Sequence, residues 1–236
     1  PEAFARNATA AVSDGFDAIK LAPFDGLARG IDKAEDAADG IACMQAVRQA
    51  IGPNVDLLID CHSHFTAKGA LAVAKALADL DLFWFEEPVP DEDIAGYLEV
   101  KAKSGLPIAG GESRMHRRGF WQACNDNILD IAMPDVTIVG GICELKKVAA
   151  MAEARGIRTA PHGPFGPVTT ASSVHAMAAH PAFTILEYAW GEVPWRPTLT
   201  LPNEKISNGR ITLPQTPGLG IELDEKIVAA HRIAIT

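Results

Sequence analysis

The chain has 236 residues, 48% hydrophobic and 22% charged, which is enough apolar material for one barrel-sized domain or two small ones and too much for a disordered segment. A formal net charge of −9, with no block of Lys or Arg, excludes the electrostatic footprint of a nucleic-acid binder. Cys43, Cys61, Cys124 and Cys143 form no C-x-x-C pair, which argues against a thiolate zinc site or a disulfide framework and fits a reducing, cytoplasmic setting, and no apolar run reaches the roughly 20 residues of a membrane span.

In chain order, Glu2 to Ser13 reads as a helix with Phe4, Ala8 and Val12 on one side, ended by Asp14-Gly15. A strand, Ala18 to Ala22, is closed by Pro23. The acidic stretch from Asp25 to Gly40 reads as a loop leading into a helix over Ile41 to Ala50, and Gly52-Pro53-Asn54 turns into the strand that ends at Asp60. The alternation then repeats: helix 67–79, strand 83–85, helix 94–104, strand 107–109, short helix 118–125, strand 128–133, helix 141–155, strand 157–160, helix 168–179 and strand 183–186. From Val193 the alternation stops; Ile206 to Ile211 reads as a hairpin around Asn208-Gly209, and a last helix starts near Asp224. A chain that starts at Pro1 with no signal-peptide character and runs at once into a helix leads us to expect further protein upstream.

Strands alternating with helices mean parallel β/α units, and the polar residues choose between a closed barrel and an open sheet. Six consecutive strands end in an ionisable residue: Asp60, Glu86, Glu112, Asp135, His162 and Glu187, at intervals of about 25 residues. Functional groups gathered at many strand ends are the pattern of a barrel mouth, whereas an open sheet concentrates them at one switch point, usually beside a Gly-rich phosphate loop. No such loop occurs. The expected fold is therefore a closed parallel β/α barrel of the TIM type, over residues 1–192, with its first strand lying before this chain.

Asp60, Glu86 and Glu112 come from successive strand ends. Packed together, they would raise one another's pKa unless a cation balanced them, and an all-oxygen set suits a hard divalent ion such as Mg²⁺. The alternative is three separate acids paired with Lys68, Arg114 or Arg117. In Glu86-Glu87 only one side chain can face the mouth, because strand neighbours point oppositely. Asp60 and His62 share a face if the strand persists that far. His162, in a Pro- and Gly-stiffened loop, and Asp135, at the preceding strand end, form a plausible carboxylate–imidazole pair for proton transfer. Lys20 is inward by parity with Ala22, with an ordinary core-rim lysine as the alternative.

The order Lys20, Asp60-Cys61-His62, Glu86-Glu87-Pro88, Gly111-Glu112, Met133-Pro134-Asp135, Pro161-His162 and Leu186-Glu187 resembles the mandelate racemase subgroup of the enolase superfamily. The resemblance implies a (β/α)7β barrel with Mg²⁺ on Asp60, Glu86 and Glu112. It also implies an Asp135–His162 dyad that removes a proton α to a carboxylate, and Glu187 as the hydrogen-bond partner of that carboxylate. Two departures sharpen the expectation. Lys20-Leu21-Ala22 lacks the second lysine of the racemases, while His62 and the Pro-His-x-Pro-x-Gly-Pro loop are similar to the D-galactonate dehydratase branch, where the added His is a general acid. The N-terminal α+β capping domain is missing from this stretch, and 193–236 is expected to pack toward it.

The function this implies is a dehydratase converting a sugar acid to a 2-keto-3-deoxy acid, with a small carboxylate substrate and a homo-oligomeric assembly expected. The alternatives are an epimerase or cycloisomerase, with Lys20 or His62 as second proton carrier, and an inactive barrel that binds or scaffolds.

Overall fold

The computed structural model describes residues 1–233, so 234–236 of the tail lie outside the description. The elements are α1 (Glu2–Ser13), β1 (Ala18–Leu21), α2 (Ala38–Ile51), β2 (Asp56–Asp60), α3 (Ala67–Ala76), β3 (Leu82–Glu86), α4 (Ile94–Ser104), β4 (Ile108–Gly110), α5 (His116–Asn125), β5 (Ile131–Ala132), α6 (Ile142–Glu153), β6 (Arg158–Thr159) and α7 (Pro167–Met177). The six strands form one parallel sheet in chain order. It curls so far that Lys20 on β1 reaches Glu187, beyond the last β/α unit, with Nζ 2.7 Å from Oε1. This is the modified TIM barrel.

Both faces of the sheet are covered, so the strands read as near-continuous apolar runs. Register sorts the two faces. Lys20 pairs with Leu58, Leu58 with Trp84, Asp60 with Glu86 and Glu86 with Ala109, which makes rows of inward side chains. Leu58, Trp84, Ala109, Ile131, Met133 and Ala160 form a compact core of their own inside the barrel. Ile19, Leu57, Ile59, Phe85 and Ile108 point the other way, into the larger core under the helices.

Three expectations are corrected. The strand 183–186 is reduced to one bridge, Phe183 with Thr159, held by Thr159 N–H to Ala182 O and Thr184 N–H to Thr159 O, both 2.9 Å. The chain leaves the sheet there, on its way to Glu187. Strand 128–133 shrinks to β5: at its start Ile128 N–H is taken by Ala123 O in the turn after α5, and at its end Pro134 has no N–H to continue the ladder. Within 25–40, a 3₁₀ turn at Ala34–Ala37 precedes α2, which begins at Ala38 rather than Ile41.

Local sequence explains the helix starts. Thr66 accepts from Gly69 N–H at 3.2 Å and caps α3, and Asp93 accepts from Gly96 N–H at 2.9 Å and caps α4. Gly69 is also a close-approach position, since a Cβ there would lie 1.9 Å from the Ile31 carbonyl oxygen. Gly69→Ala should therefore destabilise the protein by about 1–3 kcal/mol, as overpacking against backbone does, read as a lower urea midpoint at unchanged slope.

In the tail, β7 (Thr200–Leu201) pairs antiparallel with β10 (Glu222–Leu223), and β8 (Ile206–Ser207) with β9 (Arg210–Ile211). Asn208 and Gly209 both have positive φ, as a type I′ hairpin turn requires. α8 (Glu225–His231) is capped by Asp224. Arg210 pairs with Asp17 at 2.9 Å, and Trp190 donates to Asp14 at 2.9 Å, so this region folds back on the α1–β1 turn. No described helix is long and apolar enough to cross a membrane.

Candidate active site

The C-terminal ends of the strands bring Lys20, Asp60, His62, Glu86, Glu112, Asp135, His162 and Glu187 to one mouth. Asp60 and Glu86 are the last residues of β2 and β3, and their paired register sets them side by side. Glu112 arrives after a two-glycine kink. Gly110 and Gly111 have φ of 158° and 102°, and a Cβ on Gly111 would meet the Phe120 ring at 2.9 Å. Asp60, Glu86 and Glu112 each present a carboxylate oxygen within 4.8 Å of the other two.

Lys68, Arg114 and Arg117 do not neutralise them; Arg114 is bound to Asp91 and Arg117 to Glu144. Lys20 sits among the acids instead, with Nζ 2.9 Å from Glu86, 3.4 Å from Asp60 and 2.7 Å from Glu187. Burial disfavours the charged ammonium, but the field of Glu86, Glu187 and Asp60 wins and holds its pKa well above the ordinary lysine range. Glu86 is fully buried, with one oxygen on Lys20 and the other accepting from Trp84 Nε1 at 2.9 Å. Burial, with Asp60 and Glu187 nearby, pushes its pKa well up despite Lys20. Glu87 is the outward member of its pair; burial and the Glu112 charge raise its carboxyl to about 7.

The face-sharing argument for His62 does not hold, because β2 ends at Asp60 and His62 has φ of 42°, outside any strand. The turn still delivers the ring to the cluster. His62 N–H donates to Asp60 Oδ1 at 3.0 Å, and ring Nε2 lies 3.1 Å from Asp60 Oδ2. Ring Nδ1 lies 2.6 Å from Asp25 Oδ1, a contact the sequence reading does not single out. The hydrogen bond to Asp60 outweighs desolvation, and with Asp25 it raises the imidazole to about 10. Burial works to raise Asp60, but the His62 hydrogen bond and Lys20 overcome it and bring it to about 2.

Across the mouth, Asp135 is buried at the end of the β5 unit. One of its oxygens lies 2.7 Å from His162 Nδ1, and the other accepts from Thr137 N–H at 2.6 Å. With Nδ1 bound to a carboxylate, Nε2 is the free nitrogen, 3.4 Å from Glu112 and 3.8 Å from Glu187. Desolvation lowers the imidazole pKa, but Asp135, Glu187 and Glu112 raise it by more. Glu187 is held by Lys20 and by Gly163 N–H at 2.9 Å. Thr137 and Trp84, like Asp25, carry no sequence motif; they are legible only as partners of residues that do.

The enolase C-terminal domain-like model matches residues 3–227. The chain belongs to that family, within the enolase superfamily. It is 34% identical over 236 residues to a D-gluconate/D-galactonate dehydratase of Picrophilus torridus, covering 97% of this chain and 58% of that protein. It is 33% identical over 229 residues to a D-galactarolactone cycloisomerase of Agrobacterium fabrum, covering 94% and 58%. A mandelate racemase/muconate lactonizing enzyme-like crystal structure from Rubrobacter xylanophilus superposes with a TM-score of 0.92 at 34% identity, over 99% of this chain and 61% of that one. The chain thus spans about half to three-fifths of the length of the relatives it matches.

The acidic cluster fits the hard divalent cation expected of an enolase-superfamily barrel. Its donors are all oxygen, and Glu112 Oε2 is buried without a hydrogen-bond partner.

Proposed function

We propose that the full protein is a Mg²⁺-dependent dehydratase of a sugar acid, giving a 2-keto-3-deoxy acid. The observation that carries this reading is the pair of imidazoles flanking the acidic cluster in different bonding states. His162 has one ring nitrogen bound to Asp135 and the other directed toward Glu112 and Glu187, as a base requires. His62 has both nitrogens on carboxylates, Asp25 and Asp60, a bonding pattern that favours the protonated ring, as an acid requires.

In this reading His162 Nε2 takes the proton from the carbon α to the carboxylate. The electron pair left behind expels the β-hydroxyl, which leaves as water with a proton from His62, and the resulting enol tautomerises to the keto acid. Glu187, fixed by Lys20 and Gly163, meets the substrate carboxylate. Asp60, Glu86 and Glu112 would hold Mg²⁺, which when bound supplies electrostatic stabilisation of the negative charge that develops on that carboxylate. His162 would act in its neutral form, which the Glu112 and Glu187 charges facing it disfavour and neutralisation of Glu112 would favour. In the same reading residues 1–192 are the catalytic barrel, and the described tail from 193 to 233 would pack toward a capping domain in the rest of the protein.

His62→Gln tests the assignment. In the full-length protein it should slow elimination by on the order of 10²- to 10⁴-fold while α-proton exchange into deuterated solvent, run by His162, outlasts it. Equal loss of both would make His62 a holder of Asp60 or of substrate. The cycloisomerase among the relatives favours a second reading, isomerisation, which needs another proton carrier. Lys20, held as an ammonium by three carboxylates, is poorly suited to accept one. Exchange of label into recovered substrate without keto-acid formation would favour isomerisation.

A further inference from the structure

Arg196, in the tail, is buried at 3% exposure, and its guanidinium is shared among four acceptors. Nε donates to Glu204 at 3.1 Å, Nη1 to the Phe165 carbonyl at 2.9 Å and to Glu192 at 3.2 Å, and Nη2 to Thr170 Oγ1 at 3.0 Å. The guanidinium plane lies 4.3 Å from the Tyr188 ring centroid, and Tyr188 OH donates to the same Glu204 oxygen at 2.9 Å. Two of these partners, Phe165 and Tyr188, adjoin proposed catalytic groups. Phe165 belongs to the His162 loop and sets its ring edge against the His162 ring, with centroids 5.8 Å apart. Tyr188 follows Glu187 directly, and Glu187 accepts from Gly163 in that same loop. A buried ion pair contributes little net stability after desolvation, so the use of this one lies in its geometry: a rigid fork fixes two loops against each other where a lysine would offer one point charge.

We infer that Arg196 is a positioning residue that sets His162 and Glu187 relative to each other, clamping the loop after β6 and the segment after Phe183 from the tail. The role given to His162 and Glu187 rests on the dehydratase reading; the clamp itself does not. The metal ligands lie on β2, β3 and the β4 turn and make no contact with Arg196, so the clamp is specific to the proton-transfer side of the mouth.

The test uses full-length protein labelled with ¹⁵N-histidine, as Arg196→Met and Arg196→Lys. The expected result is a displaced or broadened His162 ring-nitrogen signal in both variants, an unchanged His62 signal and unchanged Mg²⁺ affinity by calorimetry. Where a sugar acid is turned over, kcat should fall by about 10- to 100-fold, as misplacement of reacting groups does. Millimolar guanidinium should restore part of the loss in Arg196→Met. Unaltered His162 signals would overturn the inference, as would parallel loss of the His62 signal and of metal affinity, which would mean that Arg196 merely holds the barrel together. If Arg196→Met does not fold, Arg196→Lys, which keeps the charge but not the fork, carries the same readouts. The spectroscopic and metal arms need no substrate, so they decide the clamp even if wild-type protein dehydrates nothing, an outcome that would count against the dehydratase reading alone.

Discussion

His162→Asn should abolish dehydration and α-proton exchange together, by on the order of 10⁴-fold or more, at the upper end of general-base effects. A proton α to a carboxylate is so weakly acidic that no neighbour can replace the imidazole without a second base. The nearest amine, Lys20, is committed to Glu86, Asp60 and Glu187. Asparagine keeps a donor that can reach Asp135, so the buried carboxylate is not left without a partner and the loop keeps its anchor. Mg²⁺ affinity should therefore stay close to that of the wild type. Deuterium exchange followed by proton NMR, with calorimetry on the same sample, reads both. Retained exchange would move the base to Lys20 or His62.

Glu112→Gln should weaken Mg²⁺ binding by on the order of 100-fold or more. It removes one of three anionic donors while keeping the shape, a larger change than loss of a supporting partner, which costs about 10- to 100-fold. Of the three acids, Glu112 is the one with a buried oxygen that accepts no hydrogen bond; only the His162 ring, 3.4 Å away, faces it. Burial raises its pKa in the fold, and the sign for stability follows: a carboxyl whose folded pKa lies above its unfolded value opposes folding at neutral pH. The same variant should thus lose metal yet, without metal, be no less stable than wild type. Calorimetric titration and thermal melts with and without Mg²⁺ measure the two halves. Unchanged affinity would remove Glu112 from the ligand set.

The parts of this site legible in the sequence were those written at strand ends. Asp60 and Glu86 stand at the last position of an apolar run, where parallel register forces them together, and His162 and Asp135 follow the same rule a few residues past shorter strands. What was not legible depends on chain paths between elements. Asp25 lies in an acidic stretch indistinguishable by composition from a solvated loop, and only the fold carries it to His62. Parity placed Lys20 facing inward, but nothing local says that it lies among the acids in place of Lys68, Arg114 or Arg117. The strand expected at 183–186 fails for the same reason: Thr184, Ile185 and Leu186 have strand propensity, yet the segment makes a single bridge, Phe183 with Thr159, before it continues to Glu187.

The Lys20 ammonium has a consequence for how the mouth takes up ions. Because it already rests between Asp60 and Glu86, an arriving cation does not enter a bare cage of repelling acids; it competes with an attached counter-ion that cannot diffuse away. The net affinity for a cation is then expected to be a difference between two attractions, smaller than the carboxylates alone would give. Singly charged ions, which offer the acids no more than the ammonium does, gain almost nothing by the trade. The expected consequence is a preference for doubly over singly charged ions, set by charge before any geometry of coordination is imposed.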